Sequence, residues 1–486
     1  GASLACAVFR WVFAPAPGAP ALEVLDSIDP AAIAALEARL DLARTLFLVS
    51  GESGGTVEPL CLMDYFFDKV CRRSGARAGR QFAAITEPGT ALEQAGIRRG
   101  FRKVFLNPSD AGGRFSALSL SGLVPAAVAG LDSGRLLNAA RAMACACRAG
   151  AQDNPGLRLG AALGLRARAG RDKLTLSLPP ALEPFGLWVE QLVAGSLGKE
   201  GRGILPVHGE PLGAPESYGD DRVFARWALR GQPENGAEER LEELERAGHP
   251  VLRFGLADRY ELGAQFFLWE AAAAAAGFLL GVDPFDQPEA RSAQERTQRL
   301  LGGLEGGALP KETADLRAGG LAAFADRQLL ASLEAHRGLD LPLRRVLAAH
   351  LARLGPADYA AVLAYVHPEE GVRLQLEALQ RQLRRISRAP AVVQYGPRYL
   401  HSTGELYKGG AANGVFLELV APDAASLHVP ERGFSFGTLR RAQARGDFAA
   451  LLQGGRRILR LELGAAVEES LRAVVNAAEE VDRCPA

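Results

Sequence analysis

The chain of 486 residues is short of the features that usually give chemistry away. It has six cysteines, and none of Cys6, Cys61, Cys71, Cys145, Cys147 and Cys484 makes a C-x-x-C pair. Cys145 and Cys147 fall on an alanine-rich, helix-like stretch, so neither a metal site nor a disulfide framework is expected, and a reducing cytoplasmic setting fits. Neither sign of charge is in excess: Lys+Arg and Asp+Glu both total 56. That balance removes the electrostatic argument for nucleic-acid or membrane-surface binding. Long hydrophobic runs are scarce as well. The most apolar stretch, residues 266–282, is short for a membrane span and carries Glu270, which predicts a buried core helix. The opening residues do not read as a signal peptide.

What is present is an alternation of strand-like and helix-like segments, at a length that suggests two or three α/β domains. "LEVLDS" (22–27) is predicted as a buried strand. "PAAIAALEARL" (30–40) reads as a proline-started helix with Ile33, Leu36 and Leu40 on one face. "TLFLVS" (45–50), "QFAAIT" (81–86) and "KVFLNP" (103–108) read as strands, with a helix over about 56–72. This rhythm predicts a parallel sheet with helices on both faces. A second such unit opens near Lys173 with "DKLTLSL", "GILPV", "RVFARWAL" and "PVLRFGL" as strands. The charged stretch 230–249 reads as a solvated helix. From about residue 335 the pattern is more helical, then returns to strands at "GVFLELV" and "RRILRLEL".

Ligands of doubly wound folds bind beyond the carboxyl ends of strands. Five segments qualify. "LVSGESGGTVE" (48–58) puts Ser50, Ser53 and Thr56 among glycines at a helix start, which suits an anion, although Glu52 stands where a phosphate would want a cation. Such a loop is as often a turn and an N-cap. "NPSDAGGRFSALS" (107–119) offers Arg114 behind two glycines, an oxyanion partner or an ordinary surface arginine. "GSLGKEGRGILP" (195–206) and "GVDPFDQPEARSAQ" (281–294) follow. The fifth, "GPRYLHSTGELYKGG" (396–410), makes His401 the best catalytic histidine. His249, His336 and His350 read as surface positions, His428 as part of a loop, and His208 and His367 are open.

Taken in this order, these segments, with "VLDSIDP" and "FSFGTLRRAQARGDFAAL", resemble the phosphoglucose isomerase (glucose-6-phosphate isomerase) family. Within it they are most similar to the isomerase half of bifunctional transaldolase–phosphoglucose isomerase proteins. The resemblance implies two SIS-type three-layer αβα sandwiches with parallel sheets, residues 1–165 and 166–335, and a C-terminal α/β extension, 336–486, wrapping them. It implies interconversion of glucose 6-phosphate and fructose 6-phosphate through a cis-enediol, with no metal or organic cofactor. It assigns His401 to ring opening and Arg114 to support of developing charge, with Gln287 and Lys408 at matching positions. Ser50, Ser53, Gly54 and Thr56 would hold the phosphate. It also implies a cytoplasmic homodimer. The chain opens on Gly1 and on "GASLACAVF", which is similar to the tail of the family's "GGSSLAPEVF". A missing first strand, an exposed sheet edge and an upstream transaldolase are therefore expected.

The departures from the family cluster at the chemistry. In the family's "SSKSGTTxE" the lysine is here Glu52 and one threonine is Gly55, while Glu58 agrees. Charges ~4 Å apart interact by roughly 4 kcal/mol at an effective dielectric of ~20, so Glu52 should weaken phosphate binding. In "ESTGKEGKG" the leading glutamate is the proton-transfer base, and here it is Gly195. A positioned general base is worth roughly 10²–10⁴-fold in rate. Glu190 and Glu200 are the nearest carboxylates, and rescue by either needs a rearranged loop. A further family lysine falls at Gln294, and in the fifth segment a glutamine is Glu405 and a histidine Tyr407. Two outcomes follow: a weak or redirected isomerase, or a sugar-phosphate-binding, regulatory or scaffold domain without turnover.

Overall fold

Three separate sheets account for the strands of the computed structural model, which describes residues 2–51, 56–109, 112–233, 236–304, 306–333, 339–423 and 426–483. The first sheet is parallel, in the order β1 (Phe47–Ser50), β2 (Phe82–Thr86), β3 (Lys103–Leu106). Every residue of β2 is buried, as a central strand covered on both faces requires. The predicted strand at 22–27 does not form. No described strand lies alongside to supply ladder partners; instead Glu23 pairs with Arg10 at 2.7 Å and Asp26 accepts from Ser3 at 3.4 Å, which ties the segment to the helix Ala2–Val12.

The second sheet is also parallel, with β4 (Lys173–Ser177), β5 (Leu205–Val207), β6 (Arg222–Leu229) and β7 (Val251–Leu256) in the order β5-β4-β6-β7. Its principal cover is the helix Leu262–Leu280, the expected core helix. Among the described residues this is the one helix long and apolar enough to cross a membrane, and over half of it is buried within the fold. Its close packing on the helix Pro155–Arg168 depends on a bare backbone: a β-carbon on Gly160 would lie 2.5 Å from Ala275 Cβ. The charged stretch contains the helix Ala237–Arg246, as predicted.

The third sheet has seven strands: β8 (Leu316–Ala318), β9 (Leu321–Ala325), β10 (Asp340–Leu341), β11 (Tyr359–Tyr365), β12 (Ala391–Tyr395), β13 (Gly414–Val420) and β14 (Arg457–Glu462). The order is β10-β8-β9-β14-β13-β11-β12. The run β14-β13-β11-β12 is parallel, and β9 pairs antiparallel with both β8 and β14. One face packs on the helices Glu370–Ser387 and Val467–Arg483. The other meets Phe436–Gln453 and residues of the second unit, including Ala194 and Val207, in one continuous core.

Two histidines expected at the surface are buried. His350 is wholly inside and its Nε2 lies 2.9 Å from the Phe416 carbonyl; burial pushes its pKa down to about 4. His249 packs edge-on to Tyr218 and Phe224, covered by rings that its own helix-end sequence does not reveal. His336 lies outside the described residues.

Candidate functional site

The carboxyl ends of the first and third sheets meet. After β1 the chain enters the helix Val57–Ser74, with Thr56 at its N-cap and Glu58 in its first turn, where the positive helix end favours a carboxylate. After β12 it enters a short 3₁₀ turn, Arg398–His401. His401 Nε2 and Glu58 Oε1 lie 2.9 Å apart, and Gln443 Nε2 donates to the same oxygen at 2.5 Å. Burial by itself would raise the Glu58 carboxyl; the charge and hydrogen bond of His401, with the Gln443 bond, hold it below the usual carboxylate range. Gln191 Nε2 donates to the His401 carbonyl at 2.9 Å, which fixes the main chain of the turn. The cleft beside this pair is lined by Val57, Ala293, Gln294, Thr297, His401 and Gln443. Its enclosed space is about 20 Å³, room for about one water. Gln294 Nε2 donates to Thr56 Oγ1 at 3.4 Å across its rim.

Behind the turn lies a second cluster. Arg114 is buried, and its Nη2 donates to the carbonyls of Pro284, Phe285 and Asp286 at 2.9, 3.1 and 3.1 Å. Lys199 donates to the carbonyls of Asp283 and Asp286 and, at 2.5 Å, to the Asp286 carboxylate. Burial lowers the Lys199 ammonium, with Asp286 pulling it back up. Two cations thus clamp residues 283–286, the segment that delivers Gln287 to the N-cap of the helix Pro288–Gly302. Glu405, in place of the family's glutamine, accepts from the amides of Glu289 at 3.1 Å and Ala290 at 2.9 Å and satisfies that helix's first turn.

Gly195 lies on the helix Glu183–Leu197, facing Arg114 and the Ser402 carbonyl. Glu190 sits about 140° away around the same helix. Its Oε1 accepts from Gln394, and its carboxyl, raised by burial, is also offset by His208 and Arg398. It therefore serves the seam with the third sheet. Glu200 is exposed, with φ 52°. Lys408 is buried in an ion pair with Asp447 at 2.7 Å. Ser50 is half-buried at the end of β1. Glu52, Ser53, Gly54 and Gly55 lie outside the described residues. The structure thus brings together Thr56, Gln294 and His401, keeps Arg114 and Gln287 on the neighbouring clamp, and places Lys408 in the core. Glu58 and Gln443 were visible in the sequence only as members of matched segments, and Gln191, on a long helix, left no sequence signal at all.

No family model matches the chain. A glucose-6-phosphate isomerase of Heliobacterium modesticaldum is 30% identical over 327 residues, covering 59% of this chain and 73% of that protein. One of Symbiobacterium thermophilum is 30% identical over 299 residues, covering 52% of this chain and 65% of its own length. Among solved structures, a hypothetical protein of Thermus thermophilus superposes with a TM-score of 0.55 at 25% identity, over 62% of this chain and 82% of that one. A glucose-6-phosphate isomerase of Chlamydia trachomatis superposes with a TM-score of 0.50 at 18% identity, over 62% and 68%, a likeness of fold. The parallel α/β architecture and the identity over most of the Heliobacterium protein's length agree, and the chain belongs to the glucose-6-phosphate isomerase family.

Proposed function

We propose that the chain is a sugar-phosphate protein of the glucose-6-phosphate isomerase type whose aldose–ketose isomerisation is slow or lost. The observation that carries this reading is at the position of the family's base: Gly195 faces Arg114 and the Ser402 carbonyl, and the carboxylate of Glu190 lies on another side of the helix. Moving a proton between C1 and C2 of an open-chain hexose phosphate needs a base at that place, worth roughly 10²–10⁴-fold. Glu58 is occupied in orienting His401. What remains suits ring opening: with Nε2 held by Glu58, the second ring nitrogen of His401 is the atom left to exchange a proton with a sugar oxygen. Arg114 would support charge developing on the substrate.

A second reading is a sugar-phosphate-binding, regulatory or scaffold domain joined to a transaldolase and assembled as a homodimer. One observation favours its scaffold form: the space enclosed beside His401 is about 20 Å³, room for about one water.

Heavy-water exchange separates the two. The chain and its Gly195→Glu variant are incubated with fructose 6-phosphate in deuterium oxide, and the C1 protons are followed by NMR. Background exchange in the parent with gain in the variant supports an intact site lacking its base. Fast exchange in the parent would overturn the loss of chemistry. Silence in both, with fructose 6-phosphate bound in calorimetry, favours a binding or regulatory domain, and absence of binding overturns the isomerase reading in favour of a scaffold.

A further inference from the structure

We infer that the outer face of the helices Ser133–Ala146 and Pro155–Arg168, with Phe278 between them, docks peripherally on an anionic lipid surface. The even charge of the whole chain conceals a local excess. Residues 133–171 hold seven arginines against one acid, Asp153. Neither helix carries an aspartate or a glutamate.

Both helices pack on Leu262–Leu280, the first where a β-carbon on Gly263 would meet the Leu136 carbonyl, the second where one on Gly160 would meet Ala275. Positions 263 and 275 lie about 120° apart around that helix, and Phe278 falls about midway between them, away from the core. The half-buried Phe267, Ala271 and Ala274 share its outward stripe. On the flanking helices Leu137, Leu157 and Leu165 are exposed as well. With Phe278, 84% exposed, they are four of the eleven large hydrophobic side chains left exposed among the described residues, and such a concentration marks a contact surface.

The charges beside this stripe are largely uncompensated. Arg135 is taken up by Asp258 at 2.9 Å, and Glu261 accepts from the Ala257 amide at the far, amino end of Leu262–Leu280. Arg141, Arg148, Arg158 and Arg168 are exposed and have no carboxylate partner among the described residues. Arg166 bonds to the Ala162 carbonyl of its own helix at 3.2 Å. Past the second helix Asp172 and Asp221 share Lys173, and Arg171 adds its charge to the same group. Five arginines, set against Asp153 and about −0.5 at each of three helix carboxyl ends, leave about +2.5.

The class of partner follows from what the face lacks. Arginine apart, Ser133 and Asn138 are the only hydroxyl or amide side chains on the two helices. Bases and the polar rims of protein partners are read by directional hydrogen bonds. A headgroup layer asks only for cations at its phosphates and apolar side chains at the acyl boundary, and arginines interleaved with leucines and a phenylalanine supply both. Leu262–Leu280 lies within the docked body and does not span, since over half of it is buried in the fold.

The test is co-sedimentation of the full chain with vesicles of equal parts phosphatidylglycerol and phosphatidylcholine, beside vesicles of phosphatidylcholine alone. We expect partition onto the anionic vesicles at least tenfold stronger than onto the neutral ones. It should fall at least tenfold between about 0.1 M and about 1 M salt, as the screening length shrinks from about 10 to about 3 Å. Arg158→Gln with Arg168→Gln should weaken it at least tenfold, each arginine beside an anionic surface being worth roughly fivefold. Phe278→Ala should weaken it too, while Arg327→Gln, exposed on another unit, should leave it unchanged. The salt series on the parent stands even if a variant fails to fold. Equal binding to neutral vesicles, binding that survives the arginine and phenylalanine substitutions, or no binding would each overturn the inference. Tighter binding to a duplex oligonucleotide, or a dimer in sedimentation that Phe278→Ala dissolves, would overturn it by assigning the face to nucleic acid or to a second copy.

Discussion

A β-carbon on Gly195 would lie 2.8 Å from Cδ of Arg114 and 3.5 Å from its Nη1. The arginine therefore occupies room that a carboxylate on this helix would need. It is held there by three carbonyls of the 283–286 segment. Loss of the base and the present seat of Arg114 are one arrangement, and restoring the first requires moving the second.

Gly195→Glu is accordingly expected to gain isomerisation by less than the roughly 10²–10⁴-fold of a positioned base. Gly195→Ala, which adds only the crowded methyl group, should destabilise by about 1 kcal/mol. Coupled assay of glucose 6-phosphate formation and urea denaturation check the two. An alanine variant as stable as the parent would show that Arg114 moves freely.

The Glu58–His401 pair joins the first and third sheets. Glu58→Gln and His401→Asn should be non-additive, with a coupling energy of at least about 1 kcal/mol in a denaturation double-mutant cycle. Because the folded Glu58 carboxyl is held below its unfolded value, its contribution is present above about pH 4.3 and is lost as pH falls through the folded value. The parent should therefore lose stability on acidification more steeply than Glu58→Gln.

His350 acts at a higher pH. Its folded pKa is about 4 against about 6.5 when unfolded, so the unfolded chain takes up a proton first as pH falls. Stability present above about pH 6.5 should decline by about 3 kcal/mol towards pH 4. His350→Gln should flatten that slope in denaturation curves taken across the range, and an unchanged slope would contradict the burial argument.

Gly160→Ala places a methyl group 2.5 Å from Ala275 Cβ and 2.7 Å from the Ala272 carbonyl. Both neighbours belong to a packed helix and cannot swing aside. A loss of about 1–3 kcal/mol is expected in thermal or chemical denaturation.

Much of the architecture was legible because its signals are local. The apolar run Phe82–Ile85 of β2, the proline start of the helix Pro30–Arg39 and the Ala-rich helix Leu262–Leu280 each carry their own pattern. The segment 22–27 carries a strand-like pattern too, but a strand exists only beside another, and its carboxylates bond to a helix instead. The histidines misled for a related reason. The sequence around His350 shows an amphipathic helix, while the carbonyl that receives its ring belongs to a strand 66 residues away.

Motif order and composition were enough to reach the family and the absence of a carboxylate at Gly195, since both are properties of residue identity. Folding alone decided that His401 meets Glu58, 343 residues earlier, that Arg114 fills the space above Gly195, and that Phe278 is left exposed. Periodicity records which face of an element is apolar. It does not record which distant element covers that face, or which charged group ends beside which.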